Sequence, residues 1–188
     1  GVSVAETLRA LGAQGLGLKW PNDLWLDQAK LGGILVETAA LEGQRYVVVG
    51  VGINIREPAP GWRPAQGPAS DAQSAASAEP AAPGQALAAT WPAVPPAWLE
   101  TVAPISAAPV LGALAPALVR DVLQFERQGW SAFAQRFARL DVLQGRAVRL
   151  SDGREGLACG VGAGAALRLQ TAAGLVEIAS GEVSVRPR

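Results

Sequence analysis

The sequence predicts an α/β fold: an antiparallel meander with helices, followed by a small all-β barrel. Two observations carry this. Between Leu18 and Ile55, short runs rich in Val, Ile, Leu and Trp are separated by turn residues. From Gly145 onward, Ser151-Asp152-Gly153, Ala163-Gly164, Ala173-Gly174 and Ser180-Gly181 punctuate apolar runs roughly ten residues apart. A third feature sits between the two blocks, where Leu and aromatic residues recur at helical spacing.

Each element follows from its residues. Ser3-Val4-Ala5-Glu6 has the form of a capping box, and Val4, Leu8 and Leu11 give an amphipathic helix that stops before Gly12. Leu18-Lys19-Trp20 and Leu24-Trp25-Leu26 read as strands around a Pro21-Asn22-Asp23 turn, because Pro21 forces Trp20 to be extended. Leu31 to Glu37 and Arg45 to Ile55 complete the meander. Residues 57–97 are dominated by Ala, Pro, Gly, Ser and Gln, which predicts a disordered insertion, with Trp62, Trp91 and Trp98 as docking points or incidental exposed residues. Order is expected again near Trp98. Leu111, Leu114, Leu118, Val122 and Phe125 then mark one helix face, with Pro116 inside and Gly129 at its end, and Trp130, Phe133, Phe137 and Leu140 mark a second.

Composition removes whole classes of chemistry. The 188 residues are 49% hydrophobic, enough for a core, and balance 16 basic against 16 acidic residues, so no bulk polyanion partner is indicated. There is no histidine, which excludes Ser-His-Asp and Cys-His catalysis and His-ligated metals. One cysteine, Cys159, excludes an internal disulfide and makes the cytoplasm the expected compartment. No run of 18 apolar residues occurs and no export signal opens the chain, so neither a membrane span nor a secretory leader is expected. The start at Gly1 and the lack of any methionine lead to the expectation that the chain is a fragment.

Of the 16 basic residues only Lys19 and Lys30 are lysines, and they fall close together. An ammonium is a compact point charge suited to one oxygen, where arginine offers a planar fork. Around them, Asp23, Glu37 and Asn54 lie at strand ends or turns, and Gly32, Gly33, Gly50 and Gly52 interrupt strand-like runs as glycines do where a ligand nears the backbone. The glycine pattern lacks the rest of a dinucleotide fingerprint. On these residues alone, a binding site and a twisted structural sheet are equally open.

Three ordered motifs bear on the choice. Lys19-Trp20-Pro21-Asn22-Asp23-Leu24, Lys30-Leu31-Gly32-Gly33-Ile34-Leu35-Val36-Glu37 and Val49-Gly50-Val51-Gly52-Ile53-Asn54 strongly resemble, in order and spacing, motifs of bacterial biotin protein ligases. Leu140-Asp141, Gly145-Arg146-Ala147-Val148 and Ser180 to Arg186 look like the helix end and SH3-like C-terminal domain of that family. The resemblance implies a class II synthetase-like catalytic part over residues 1–141, carrying the 57–97 insertion, and an SH3-like barrel over 142–188.

It also implies an activity. Biotin would be attached to a lysine of the biotin carboxyl carrier protein of acetyl-CoA carboxylase through biotinyl-5'-AMP, made from ATP with Mg2+. Lys30 would touch the biotin carboxylate and the adenylate phosphate, and Asp23 would orient the acceptor lysine and help deprotonate it. Gly33, Gly50 and Gly52 would border biotin and the adenylate, and Asn54 would bond the adenine edge. Lys19 and Asn22 would serve either phosphate or the turn, Glu37 would lie near the metal, and no metal ligand is assigned. The Gly- and Arg-rich biotin loop and pocket strands of the family have no counterpart here, so these residues alone are expected not to ligate biotin, and the sheet is expected to show a bare edge and apolar face. Nothing in the chain points to nucleic acid, and a homodimer is compatible with it. Two other readings stay open: a non-catalytic module that binds the carrier protein, which would have no use for ATP, and part of a biotin-responsive repressor.

Overall fold

The computed structural model describes residues 1–60, 94–179 and 185–187. Gly1–Arg56 and Val94–Arg188 make one compact unit, and Glu57–Ala93 a second. Trp62 and Trp91, and most of the predicted insertion, lie outside the described residues. Residues 94–97 are described, and they correct the predicted boundary. This stretch lies beside Lys30, whose N–H donates to Pro95 O and whose carbonyl accepts from Ala97 N. Backbone pairing settles these residues where composition suggested a loop.

Helix α1, Val2–Ala10, buries Val4, Ala5 and Leu8 completely. Its predicted capping box does not form. The helix starts two residues early, with Gly1 as its N-cap, so Ser3 lies inside it with a buried hydroxyl that has no partner. Glu6 turns instead to Arg136, whose Nη2 donates to Glu6 Oε2 at 2.6 Å and to Asp121 Oδ2 at 2.7 Å. One guanidinium fork thereby ties three helices together.

Strands β1 (Leu16–Lys19), β2 (Asp23–Leu26), β3 (Ala29–Leu41) and β4 (Gln44–Ile53) form the expected meander, antiparallel and in sequence order. The β3–β4 turn puts Glu42 and Gly43 at φ of 50° and 78°, the two left-handed positions that a two-residue hairpin turn needs. Towards this turn the ribbon is bare, with Leu35, Val36, Val47 and Val48 each more than half exposed. On the other edge of the sheet, Leu18 donates to Leu140 O and accepts from Val142 N. Gly17 permits that approach, since a Cβ there would overlap the Val142 side chain and lie 2.7 Å from Leu140 O.

A 3-10 turn at Leu99–Thr101 leads to α2, Ala107–Gln128, and α3, Ser131–Ala138. The predicted α3 anchors Phe133, Phe137 and Leu140 are buried, and Gly129 ends α2 at φ 64°. The predicted α2 face is rotated. Val110, Leu114, Ala117 and Asp121 point inward, while Leu111, Val122 and Phe125 are exposed. Asp121 can occupy the inner face because Arg136 meets it there. Helix α2 is also long and apolar enough to cross a membrane by length and composition, which counting unbroken apolar runs did not register.

Strands β5 (Ala147–Leu150), β6 (Glu155–Val161), β7 (Leu167–Thr171), β8 (Gly174–Ile178) and β9 (Val185–Pro187) form an antiparallel sheet in the order β8-β7-β6-β5-β9. The sequence predicted a closed barrel. Among the described residues no pairing joins β8 to β9, so the sheet has two edges. Regular turn spacing specifies strands, whereas closure depends on tilt and register that spacing does not encode. Val148, Leu150, Leu167, Leu169, Ile178 and Val185 join the same apolar core as α1 and the first sheet.

Candidate functional site

The site is a row that runs across all four strands of the first sheet. Lys19 on β1 pairs with Asp23 on β2, Asp23 with Gly33 on β3, and Gly33 with Gly52 on β4. Directly opposed residues of an antiparallel sheet share a face. Two charged side chains therefore stand beside two positions that carry none, and this leaves an open floor. Gly50, two residues before Gly52, extends it on the same face. The resulting cleft, about 460 Å³, is bounded by Asn22, Asp23 and Lys30 on the polar side and by Gly33, Gly50 and Gly52 below, with Leu35 as the apolar side chain on the same face and Ile34 and Val51 bordering it from positions whose side chains turn to the core.

Lys30 reaches this face through a bulge. Leu24 pairs with Gly32 but Trp25 with Lys30, so Leu31 is an extra residue on β3. In a regular strand, Lys30 and Gly33 would point to opposite faces. The bulge restores Lys30 to the face of Asp23 and sends Leu31 into the core, fully buried. The backbone of Lys30 is held as well, by residues 95 and 97 and by Asn54 Nδ2, which donates to Lys30 O and Ala97 O at 3.2 Å each.

Asp23 bridges two ammonium groups. Its Oδ2 accepts from Lys19 Nζ at 2.9 Å and its Oδ1 from Lys30 Nζ at 2.6 Å. Lys19 is buried, with only 4% of its side chain exposed, and its Nζ lies 5.6 Å from the centre of the Trp25 ring. Lys30 is 45% exposed and faces the cleft. Burial pushes the Asp23 pKa up, but hydrogen bonds from Lys30 and Lys19 outweigh it, so the carboxyl lies below its usual range. Burial also lowers the Lys19 ammonium, against the opposing pull of Asp23.

The turn before Asp23 is pinned to β3: Asn22 Nδ2 donates to Ile34 O at 2.8 Å, and Asn22 O accepts from Ile34 N at 2.9 Å. The Trp20–Pro21 peptide bond is cis, and Trp20 Nε1 donates to Ala165 O in the connection between β6 and β7. Gly32 serves packing rather than the cleft, since a Cβ there would overlap Gly52 O.

Of the residues singled out from the sequence, Asn22, Asp23, Lys30, Gly33, Gly50 and Gly52 come together in one cleft. Lys19 lies beneath it. Asn54 sits at the end of β4 and braces Lys30 from behind, and Glu37 is on the exposed ribbon, away from the cleft. Leu35 and Gly17 were not singled out. Alternating hydrophobicity marks Leu35 only as a strand residue, and nothing local distinguishes Gly17. The magnesium ion that the resemblance implies does not find a donor set here. Asp23 is the one carboxylate lining the cleft and both of its oxygens face ammonium groups, and no group of three or more Asp, Glu, His or Cys placed to hold a metal ion occurs among the described residues.

Residues 2–54, which contain this whole site, match the model of the biotin/lipoate A/B protein ligase family. Over 56 residues the chain is 50% identical to the bifunctional ligase/repressor BirA of Escherichia coli, a match covering 29% of this chain and 17% of that protein. Over 41 residues it is 51% identical to the biotin–[acetyl-CoA-carboxylase] ligase of Mycobacterium tuberculosis, covering 22% of this chain and 14% of that one. The match thus spans less than a fifth of either relative's length. The whole fold is similar to that of the Aquifex aeolicus biotin protein ligase in its apo form, with a TM-score of 0.72 at 21% identity, covering 100% of this chain and 72% of that one. The same ligase solved with biotin and ATP gives a TM-score of 0.72 at 21% identity, covering 100% of this chain and 69% of that one.

Proposed function

We propose that this chain carries the adenylate-forming centre of a biotin protein ligase. The biotin carboxylate attacks the α-phosphate of ATP, pyrophosphate leaves, and biotinyl-5'-AMP passes its acyl group to a lysine of a biotin carboxyl carrier protein. The observation that carries this reading is the Lys30 ammonium held over a floor of Gly33, Gly50 and Gly52, inside the segment that matches the family.

The chemistry fits that geometry. Both steps gather negative charge on the carboxylate and phosphate oxygens, and a positioned ammonium stabilises that charge as it develops. Lys30 is cleft-facing and anchored through its backbone, so it supplies the charge with little reorganisation. The glycine floor lets a flat base or the phosphate approach the strands. Leu35, exposed on the face of the glycine floor, offers apolar surface to a fused-ring acyl group. Asp23 is a weak base because two ammonium groups engage it, so its part in transfer is to orient the acceptor amine. Asn54 spends its amide hydrogens on Lys30 O and Ala97 O, so its Oδ1 is the atom for the adenine edge.

The reading extends to a cytoplasmic enzyme whose second sheet corresponds to the SH3-like module of the family. Biotin-dependent exchange of pyrophosphate into ATP by the full-length protein that contains these residues is the test. Exchange that requires biotin supports the reading, and a full-length protein that binds the carrier without any exchange leaves the binding-module alternative in its place.

A further inference from the structure

Lys30 stands where β3 has lost its outer neighbour. Strand β4 ends at Ile53, opposite Gly32, and Asn54 N–H adds one bond to Leu31 O, so the ladder stops short of Lys30. A bulge disrupts the ladder and leaves backbone groups without partners, which buried backbone must find elsewhere. Here they come from a stretch distant in sequence. Lys30 N–H donates to Pro95 O at 2.8 Å, Lys30 O accepts from Ala97 N at 2.9 Å, and Pro96 between them forms a parallel bridge with Lys30. The rings of Pro95 and Pro96 fix φ, and a proline after Pro95 favours extended backbone, so this stretch has little freedom to lose when it docks.

We propose that residues 95–97 are the register lock of the Leu31 bulge, and thereby a positioning element for Lys30. The inference rests on the proposed function, in which the place of the Lys30 ammonium governs adenylate formation. A slip that absorbed Leu31 into a regular ladder would send Lys30 to the face opposite Asp23, because successive residues of a strand face opposite ways. Side-chain packing opposes that slip through Leu31, which is fully buried. Backbone pairing opposes it through two bonds that close on Lys30 itself, one on each side of its Cα. Neither Pro95 nor Ala97 is among the residues that line the cleft, so their effect on the chemistry passes through the backbone of Lys30.

The experiment uses the full-length protein with biotin and ATP under single-turnover conditions. In the first variant the Ala97 N–H is replaced by an ester oxygen, by incorporating lactic acid at that position, which deletes the donor to Lys30 O and leaves every side chain in place. Lys30 O keeps the Asn54 amide, so the loss is that of one bond. Adenylate formation should slow about fivefold, the scale of one hydrogen bond. The same replacement at Glu100, whose N–H donates to Ile55 O, is the control for a weakened backbone and should stay within about twofold of wild type. The decisive readout is a double-variant cycle: with Lys30→Ala in place, the ester at position 97 should add no more than about twofold, because a positioning residue acts only through what it positions. Equal slowing with and without the Lys30 side chain, equal slowing from the two esters, or an unchanged rate with the ester at position 97 would each overturn the inference and leave the proposed function standing. A rate undiminished by Lys30→Ala alone would remove the proposed function, and the inference with it.

Discussion

Asp23 Oδ1 and Lys30 Nζ meet at 2.6 Å only because Leu31 is bulged out of β3, which turns Lys30 onto the face of Asp23. One inserted residue thus decides whether the sheet carries a cation over its glycine floor. Lys30→Ala should slow adenylate formation in single-turnover experiments by about 10² to 10³, the scale of removing one preorganised electrostatic group. Lys30→Arg should recover little of it, because the planar fork is wider than the single contact that Asp23 offers. Rates within about twofold of wild type for Lys30→Ala would remove the assigned role.

Two adjacent glycines separate packing from function. The nearest atoms to a Cβ at Gly33 are Lys30 Nζ at 3.5 Å and Asp23 Oδ1 and Lys30 Cε at 3.6 Å, ordinary contacts at the mouth of the cleft. Gly33→Ala should therefore keep the melting temperature within a few degrees while weakening ligand binding. Gly32→Ala drives its Cβ into the β4 backbone, so it should destabilise by about 1 to 3 kcal/mol, the usual scale for overpacking. Equal melting temperatures for the two variants would contradict this geometry.

Asn54→Ala should act on the fold of the site. Loss of its amide leaves Lys30 O and Ala97 O without that donor, at a cost of about 1 to 3 kcal/mol. Faster amide hydrogen exchange at Ala97 and Leu99 would report the loosening of the segment beside Lys30. Damage confined to ATP binding, with exchange there unchanged, would show that the side chain serves the base alone.

The site was legible in the sequence where its residues are close in the chain or paired across a hairpin. The four strands of the meander and the end of α2 at Gly129 follow from local turn chemistry and strand patterning, whereas the cleft glycines were marked only by the three ordered motifs, since their pattern alone fits a twisted structural sheet equally well. Long-range partners were not legible. Arg136, 130 residues from Glu6, empties the capping box and lets Asp121 face inward, and no window of sequence shows that. The bulge at Leu31 is equally hidden, because an apolar residue between Lys30 and Gly32 reads as one more strand position. Residues 94–97 read as loop because their pairing partner, Lys30, lies far upstream.

Acid should act through Asp23. Its carboxyl titrates below the usual range in the folded chain, so its contribution to stability is complete above the unfolded value, near 3.9, and is lost as pH falls through the lower folded value. Lys19 works in the basic range: its lowered pKa means that the unfolded chain holds the proton more tightly, so stability rises as pH climbs from the folded value towards that of free lysine. Urea midpoints of wild type and Asp23→Asn, compared from about pH 6 to pH 2, should converge as the pH drops. Parallel curves would mean that the carboxylate is not what acid removes.

The central claim is that the cleft over Gly33, Gly50 and Gly52 holds an acyl adenylate against Lys30, and calorimetric titration of the full-length protein with a non-hydrolysable biotinyl adenylate analogue tests it most directly. The account predicts one equivalent bound by wild type and affinity lowered about tenfold or more both in Lys30→Ala, which removes the charge-assisted contact, and in Gly33→Val, which fills the floor. Undiminished binding by both variants would place the ligand elsewhere on the molecule.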